Sequence, residues 1–116
     1  MTEQRTTNLR LYRALPGKLD EFVKGWQEFI VPMRERHGYT VEYAWKLREQ
    51  DVLAWVISLP GGEEHFNKAQ EDYINSPGRD DINQKVRPLM GSGGEPLPGR
   101  LGGTYFAEPV QVHKTA

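Results

Sequence analysis

The stretch from Leu15 to Gly38, LPGKLDEFVKGWQEFIVPMRERHG, constrains the fold more than any other part of the chain. Leu19, Phe22, Val23, Trp26, Phe29, Ile30 and Met33 recur at spacings of three and four. That spacing lays them along one stripe of an α-helix, with Lys18, Asp20, Glu21, Lys24, Gln27, Glu28 and Arg34 around the other side. Full burial of one large apolar side chain is worth about 1.5–3 kcal/mol. A helix carrying seven of them needs a flat apolar partner, and the short apolar runs on either side can form a sheet. Pro32 lies inside this helix, lacks an N–H and is expected to kink its last turns. Gly38 is a natural left-handed stop.

The first strand is expected over Thr7 to Leu15, with Leu9 and Leu11 on one face and Asn8, Arg10 and Tyr12 on the other. Tyr39 to Leu47 reads as the second. Its alternation puts Tyr39, Val41, Tyr43, Trp45 and Leu47 on one face and Thr40, Glu42, Ala44 and Lys46 on the other. A polar turn, Arg48 to Asp51, makes a hairpin with Val52 to Leu59, a strand apolar on both faces that belongs inside a sheet. Glu63 to Asn75 reads as a second helix with an apolar stripe of Phe66, Ala69, Tyr73 and Ile74. Ser76-Pro77 opens a further short helix that turns Ile82, Val86 and Leu89 inward. Six glycines and two prolines make Gly91 to Gly103 a loop, expected to be a mobile flap over one end of the protein. Thr104 to Val112 is the last strand, and Pro109 argues for an edge.

The order is β-α-β-β-α-β with one extra helix. It predicts an α+β domain of the ferredoxin-like kind: a four-stranded antiparallel sheet, helices on one face, the first and third strands central. The other sheet face is left uncovered. A second copy of the sheet would cover it and protect the edges, so a homodimer is expected.

The 116 residues suit a single domain over 1–116, long enough for a core without disulfides. There is no cysteine, which excludes thiolate catalysis and cysteine metal sites. A net charge of −1 gives no reason to bind nucleic acid or an acidic membrane. Met1 to Asn8 is polar, and the longest apolar run, Val52 to Leu59, is far short of the ~20 residues of a membrane helix. A cytoplasmic protein is expected. His37, His65 and His113 have no partners at metal-ligand spacing, and no phosphate-cradling glycine loop follows a strand, so neither metal nor cofactor is expected.

Several runs resemble the NIPSNAP family. They are Leu9-Arg10-Leu11-Tyr12 followed by Pro16-Gly17-Lys18-Leu19 and Phe22; Trp26; Ile30 to Arg36, IVPMRER; His37-Gly38-Tyr39; Trp45; and the third strand VLAWVISLP. The likeness covers about Leu9 to Leu89; the tail from Gly91 carries none of it. It implies a dimeric α/β barrel in which two ferredoxin-like protomers join their sheets. Relatives in that superfamily include cofactor-independent monooxygenases, polyketide cyclases, isomerases, haem-dependent enzymes and plain binding proteins. The resemblance therefore implies one of two functions. One is a cofactor-independent enzyme of isomerase, cyclase or monooxygenase type acting on an aromatic or polyketide-like molecule. The other is a non-catalytic binding or interaction module of the same fold.

Four residues are candidates for chemistry. His65, in the first turn of the second helix, would stay neutral at the positive helix end and accept a proton; otherwise it is a solvated surface histidine beside two glutamates. Tyr73, two turns on, would orient the substrate or return the proton. Arg10 would hold an anionic oxygen, a carboxylate or phenolate, with Tyr12 donating beside it; alternatively Arg10 pairs with Glu42. Trp26, Tyr43, Trp45, Trp55 and Phe66 are the aromatic candidates to bind a flat apolar ligand, if they are not simply core. His37, ending the first helix, is either a base or a cap on the negative helix end.

Overall fold

The computed structural model describes residues 4–90 and 105–113. Strand β1 (Arg5–Arg13) leads into α1 (Leu19–Gly25), a π turn (Trp26–Ile30) and α2 (Val31–Arg36), which run on without a break. Strands β2 (Thr40–Leu47) and β3 (Val52–Pro60) form the hairpin. Helices α3 (Glu63–Ile74) and α4 (Arg79–Val86) follow, then the two-residue β4 (Glu108–Pro109). Gly91 to Gly103, read as a flap, lies outside the described residues.

The four strands make one antiparallel sheet in the order β1-β3-β2-β4, so the protein is α+β. The expectation that the first and third strands are central is corrected. The centre is β3 and β2, with β1 at one edge and β4 at the other. Arg48, at the end of β2, explains the choice of edge. Its guanidinium grips Glu108 at 2.7 and 3.1 Å and Asp20 at 3.1 Å, which ties β4 beside β2. Pro109 sits in an edge strand, as its missing N–H requires.

Lys46 joins this cluster by bonding Asp20 at 2.9 Å. Hydrogen bonds from Arg48 and Lys46 hold the Asp20 carboxyl down at about 2. Arg48 lowers Glu108 in the same way. A depressed carboxylate stabilises the fold above its ordinary value and loses that contribution as pH falls through its folded value. We therefore expect β4 to loosen between pH 3.8 and about 2. Hydrogen exchange at Val110, whose N–H bonds Ala44 at 2.9 Å, should speed up over that interval. Asp20→Asn should remove part of the pH dependence, and Glu108→Gln the part that acts through β4 itself. The side chains are well exposed, so the effect should be modest and weaker in salt.

The helices lie on one face of the sheet. Phe22, Trp26, Ile30, Phe66, Tyr73 and Val86 from the helices pack with Val41, Ala44, Leu53, Trp55 and Ile57 from the strands in a single core. Two local insertions decide what else enters it. The first is the π turn, where the Val31 N–H bonds the Trp26 carbonyl five residues back. Pro32 has no N–H for the Glu28 carbonyl, and its ring would clash there in a regular helix. The wider turn absorbs the misfit. It also fits an extra residue into one turn, so the residues after it lag in rotation. Val31 and Arg34 swing into the interior, and Phe29 moves to the core's rim.

The second insertion is in β2. Val41 pairs with Ile57 and Tyr43 with Val56, leaving Glu42 as a bulge. One extra residue reverses the side-chain parity. Tyr39 and Val41 face the helices, whereas Tyr43, Trp45 and Leu47 face away, so the expected single aromatic face is split in two.

In β1, Asn8, Arg10 and Tyr12 pair with Ile57, Trp55 and Leu53 and lie beneath the helices. Leu9 and Leu11 lie on the open face, where Leu9 is 62% exposed. Tyr43, 63% exposed, stacks on Trp45 at 5.9 Å on that same face. Among the described residues, no helix is long and apolar enough to cross a membrane.

Candidate functional site

The inversion of β1 brings polar groups to the helix side of the sheet. Arg10 Nε donates to the Tyr12 hydroxyl at 3.0 Å, and Arg10 Nη1 reaches Asn8 Oδ1 and Gln70 Oε1, each at 3.4 Å. From the opposite wall, Arg34 Nη1 donates to the same Gln70 oxygen at 2.6 Å. One amide of α3 thus holds two guanidinium groups from β1 and α2.

Arg34 is 2% exposed. Its guanidinium lies 3.7 Å from the Tyr73 ring centre and 5.1 Å from that of Tyr39. Both arginines also lie over the Trp55 indole, Arg10 at 5.8 Å and Arg34 at 6.0 Å. Such stacking is worth ~2 kcal/mol or more once desolvated. Among the described residues, no carboxylate stands within ion-pair distance of either guanidinium. Burial, with Arg10 nearby, pushes Arg34 below its ordinary value. Burial pushes the Tyr39 phenol up, against the pull of Arg34 and Arg10.

Two clefts meet at Tyr12. The outer one, about 350 Å³, is lined by Asn8, Leu9, Arg10, Tyr12, Phe66, Asn67 and Gln70. The inner one, about 100 Å³ and more enclosed, is lined by Tyr12, Ile30, Arg34, Tyr73, Arg79, Ile82, Asn83, Val86 and Met90. A roomier trough of about 550 Å³ runs along Asp80, Asn83, Gln84, Arg87 and Pro88. Neither guanidinium of the Arg10–Arg34 pair lines it, so the candidate site lies at the other two.

Arg10, Tyr12, Tyr73 and Phe66 are therefore brought to one region. The remaining candidates are not. His65 is exposed and lines neither cleft. Phe66 occupies the inward position, and a neighbour on a helix is rotated ~100° away. His65 is thus not the base of this site. Trp26 is core, edge-on to Trp55 at 5.5 Å, and lines neither cleft. Trp55 is buried core beneath the guanidinium pair. Tyr43 and Trp45 are on the far side of the sheet and cannot share a ligand with Phe66. Glu42 cannot pair with Arg10 across the sheet; it accepts from the Ser58 hydroxyl at 2.6 Å, and Arg5 donates to Ser58 at 3.0 Å. His37 ends α2, as a cap would, with its ring edge-on to Tyr73 at 5.4 Å.

Arg34 is the residue that helical periodicity misplaced. The signal for it was Pro32, which forces the π turn two residues before. Among the described residues, no three His, Asp or Glu side chains gather as a metal site.

No family of known proteins, no individual curated protein and no solved structure matches the chain.

Proposed function

We propose that this protein binds a small aromatic or polyketide-like molecule in the cleft between sheet and helices, as a homodimer of the NIPSNAP-like α/β-barrel kind. The carrying observation is the inverted β1: Arg10 and Tyr12 lie under the helices while Leu9 and Leu11 are left outside. A strand that turns a half-buried arginine toward the helices and exposes its leucines works against its own stability as a monomer. The inversion makes sense if the polar face serves a ligand and the leucine face meets another sheet. Leu9, Leu11, Tyr43, Trp45 and Val56 form that second surface. The family likeness supports the same pairing, with the open faces turned toward each other.

Binding is the primary reading because the proposed base, His65, is outside the cleft. A cofactor-independent enzyme is the second reading, favoured by one contact. The Tyr12 hydroxyl accepts from Arg10 Nε, so its own proton is free to donate. Isomerisation or cyclisation through an enol would use such a phenol.

Native mass spectrometry tests the proposal. At micromolar concentration the chain should appear at twice its 13.3 kDa mass, with a small-molecule adduct when taken directly from cells. Leu9→Lys combined with Tyr43→Lys should raise the dimer dissociation constant at least tenfold, since each lost apolar contact is worth about 1.5–3 kcal/mol. A bare 13.3 kDa monomer under those conditions would sink the reading.

A further inference from the structure

The groups around Gln70 are unbalanced. Arg10 and Arg34 bring two guanidiniums, and the Tyr12 hydroxyl adds a proton not used by Arg10. The Arg34 Nε and Trp55 Nε1 groups are buried without a partner among the described residues. Against these donors the side-chain acceptors are all neutral: the amide oxygens of Asn8 and Gln70, and the Tyr12 hydroxyl oxygen that accepts from Arg10 Nε. A buried cation is normally kept by an acid, because leaving it unpaired is costly. Here the cost is met by stacking on Tyr73, Tyr39 and Trp55 and by one amide. The complementary guest is rich in acceptors and negatively charged.

Resting on the cleft reading above, we propose that the ligand is an organic acid whose carboxylate is clamped between Arg10 and Arg34, with Arg34 as the specificity-determining residue. Two nitrogens that share one acceptor oxygen are close enough to share the two oxygens of a carboxylate. The planar fork of arginine suits that group, and neither arginine loses its fork to an internal acid. The body of the acid lies toward Phe66 in the outer cleft, and Arg79, 5.5 Å from the Tyr73 ring, adds a third cation at the inner cleft. Burial, together with Arg10, destabilises the charged form of Arg34; a guest carboxylate reverses that. Gln70 is isosteric with glutamate. The chain places an amide where an acid would neutralise both arginines, and so keeps their charge for the ligand.

Calorimetric titration with benzoate, 2-naphthoate and octanoate, each against its own amide, tests this. At least one acid should bind at least tenfold more tightly than its amide. Arg34→Met and Gln70→Glu should each bring that ratio close to one, the first by removing the cation and the second by supplying an internal carboxylate. Circular dichroism shows which variants fold, and either one suffices. Equal binding of acid and amide would overturn the carboxylate clamp and leave the cleft as a general apolar site. An acid preference that survives in a folded variant would overturn Arg34 as its determinant. No saturable binding of any acid or amide would overturn both the clamp and the cleft.

Discussion

Trp55→Ala is expected to destabilise the protein by about 3–5 kcal/mol, the usual cost of truncating a buried tryptophan. Trp55 sits on β3, between β1 and β2, and is fully buried. Its ring meets Trp26 at 5.5 Å and Tyr12 at 5.4 Å, both edge-on. Each such pair adds about 0.5–1.5 kcal/mol beyond area burial. It also lies under both guanidiniums, so truncation would strip the two cations of a shared aromatic surface. One opposing effect is built in. The Trp55 N–H is buried without a partner among the described residues, and removing it relieves about 1–3 kcal/mol. Trp55→Phe separates the two contributions, because it keeps most of the stacking and discards the N–H. Urea unfolding should place Trp55→Phe well above Trp55→Ala. A loss below about 2 kcal/mol for the alanine variant would show that the core is centred elsewhere.

Arg34→Met carries the second large effect, and its sign is opposite. Burying an ion costs several kcal/mol even after the protein relaxes. Against this, Arg34 has a charge-assisted bond to Gln70 at 2.6 Å, worth about 1.5–3 kcal/mol, and its stacking on Tyr73, worth about 2 kcal/mol. Among the described residues there is no carboxylate to complete the balance. Methionine keeps the long apolar stem between Tyr39, Trp55 and Tyr73 without the charge. The ligand-free variant should therefore gain about 1–4 kcal/mol, the range seen when buried ionic groups are replaced by hydrophobic ones. The urea midpoint should rise with an unchanged slope. Stability gained where ligand selectivity is lost is the signature of a functional site. A midpoint that falls by the equivalent of more than about 1 kcal/mol would show that Arg34 is held for the fold instead.

Much of the architecture was legible because its signals are local. The apolar stripe of the first helix, the hairpin from Tyr39 to Leu59 and the doubly apolar third strand follow from periods of 3.6 and 2. The sharp stop at Gly38, which has φ +89°, follows from the freedom of glycine. Arg10 and Tyr12 could be placed on one face of β1 by counting alone. Which face that would be could not be counted. Leu9 and Leu11 take the open side, and Asn8, Arg10 and Tyr12 the helix side.

His65 shows a related limit. Its helix, its turn and its nearness to the positive end were readable. Its direction was set by Phe66 docking into the core one position later.

The sequence by itself determined most of the elements, their order and the α+β class, since each depends on residues within a few turns of one another. The last strand, expected over Thr104 to Val112, is only Glu108–Pro109 among the described residues. The tertiary structure alone decided which faces meet. One extra residue in the π turn carried Arg34 from the polar stripe into the interior, and one extra residue at Glu42 sent Tyr43 and Trp45 to the far side of the sheet. A phase shift of a single residue leaves the local pattern nearly intact, yet it reverses what every later side chain touches. The two arginines that share Gln70 are 24 positions apart in the chain, at 10 and 34, and only packing could bring them to one oxygen.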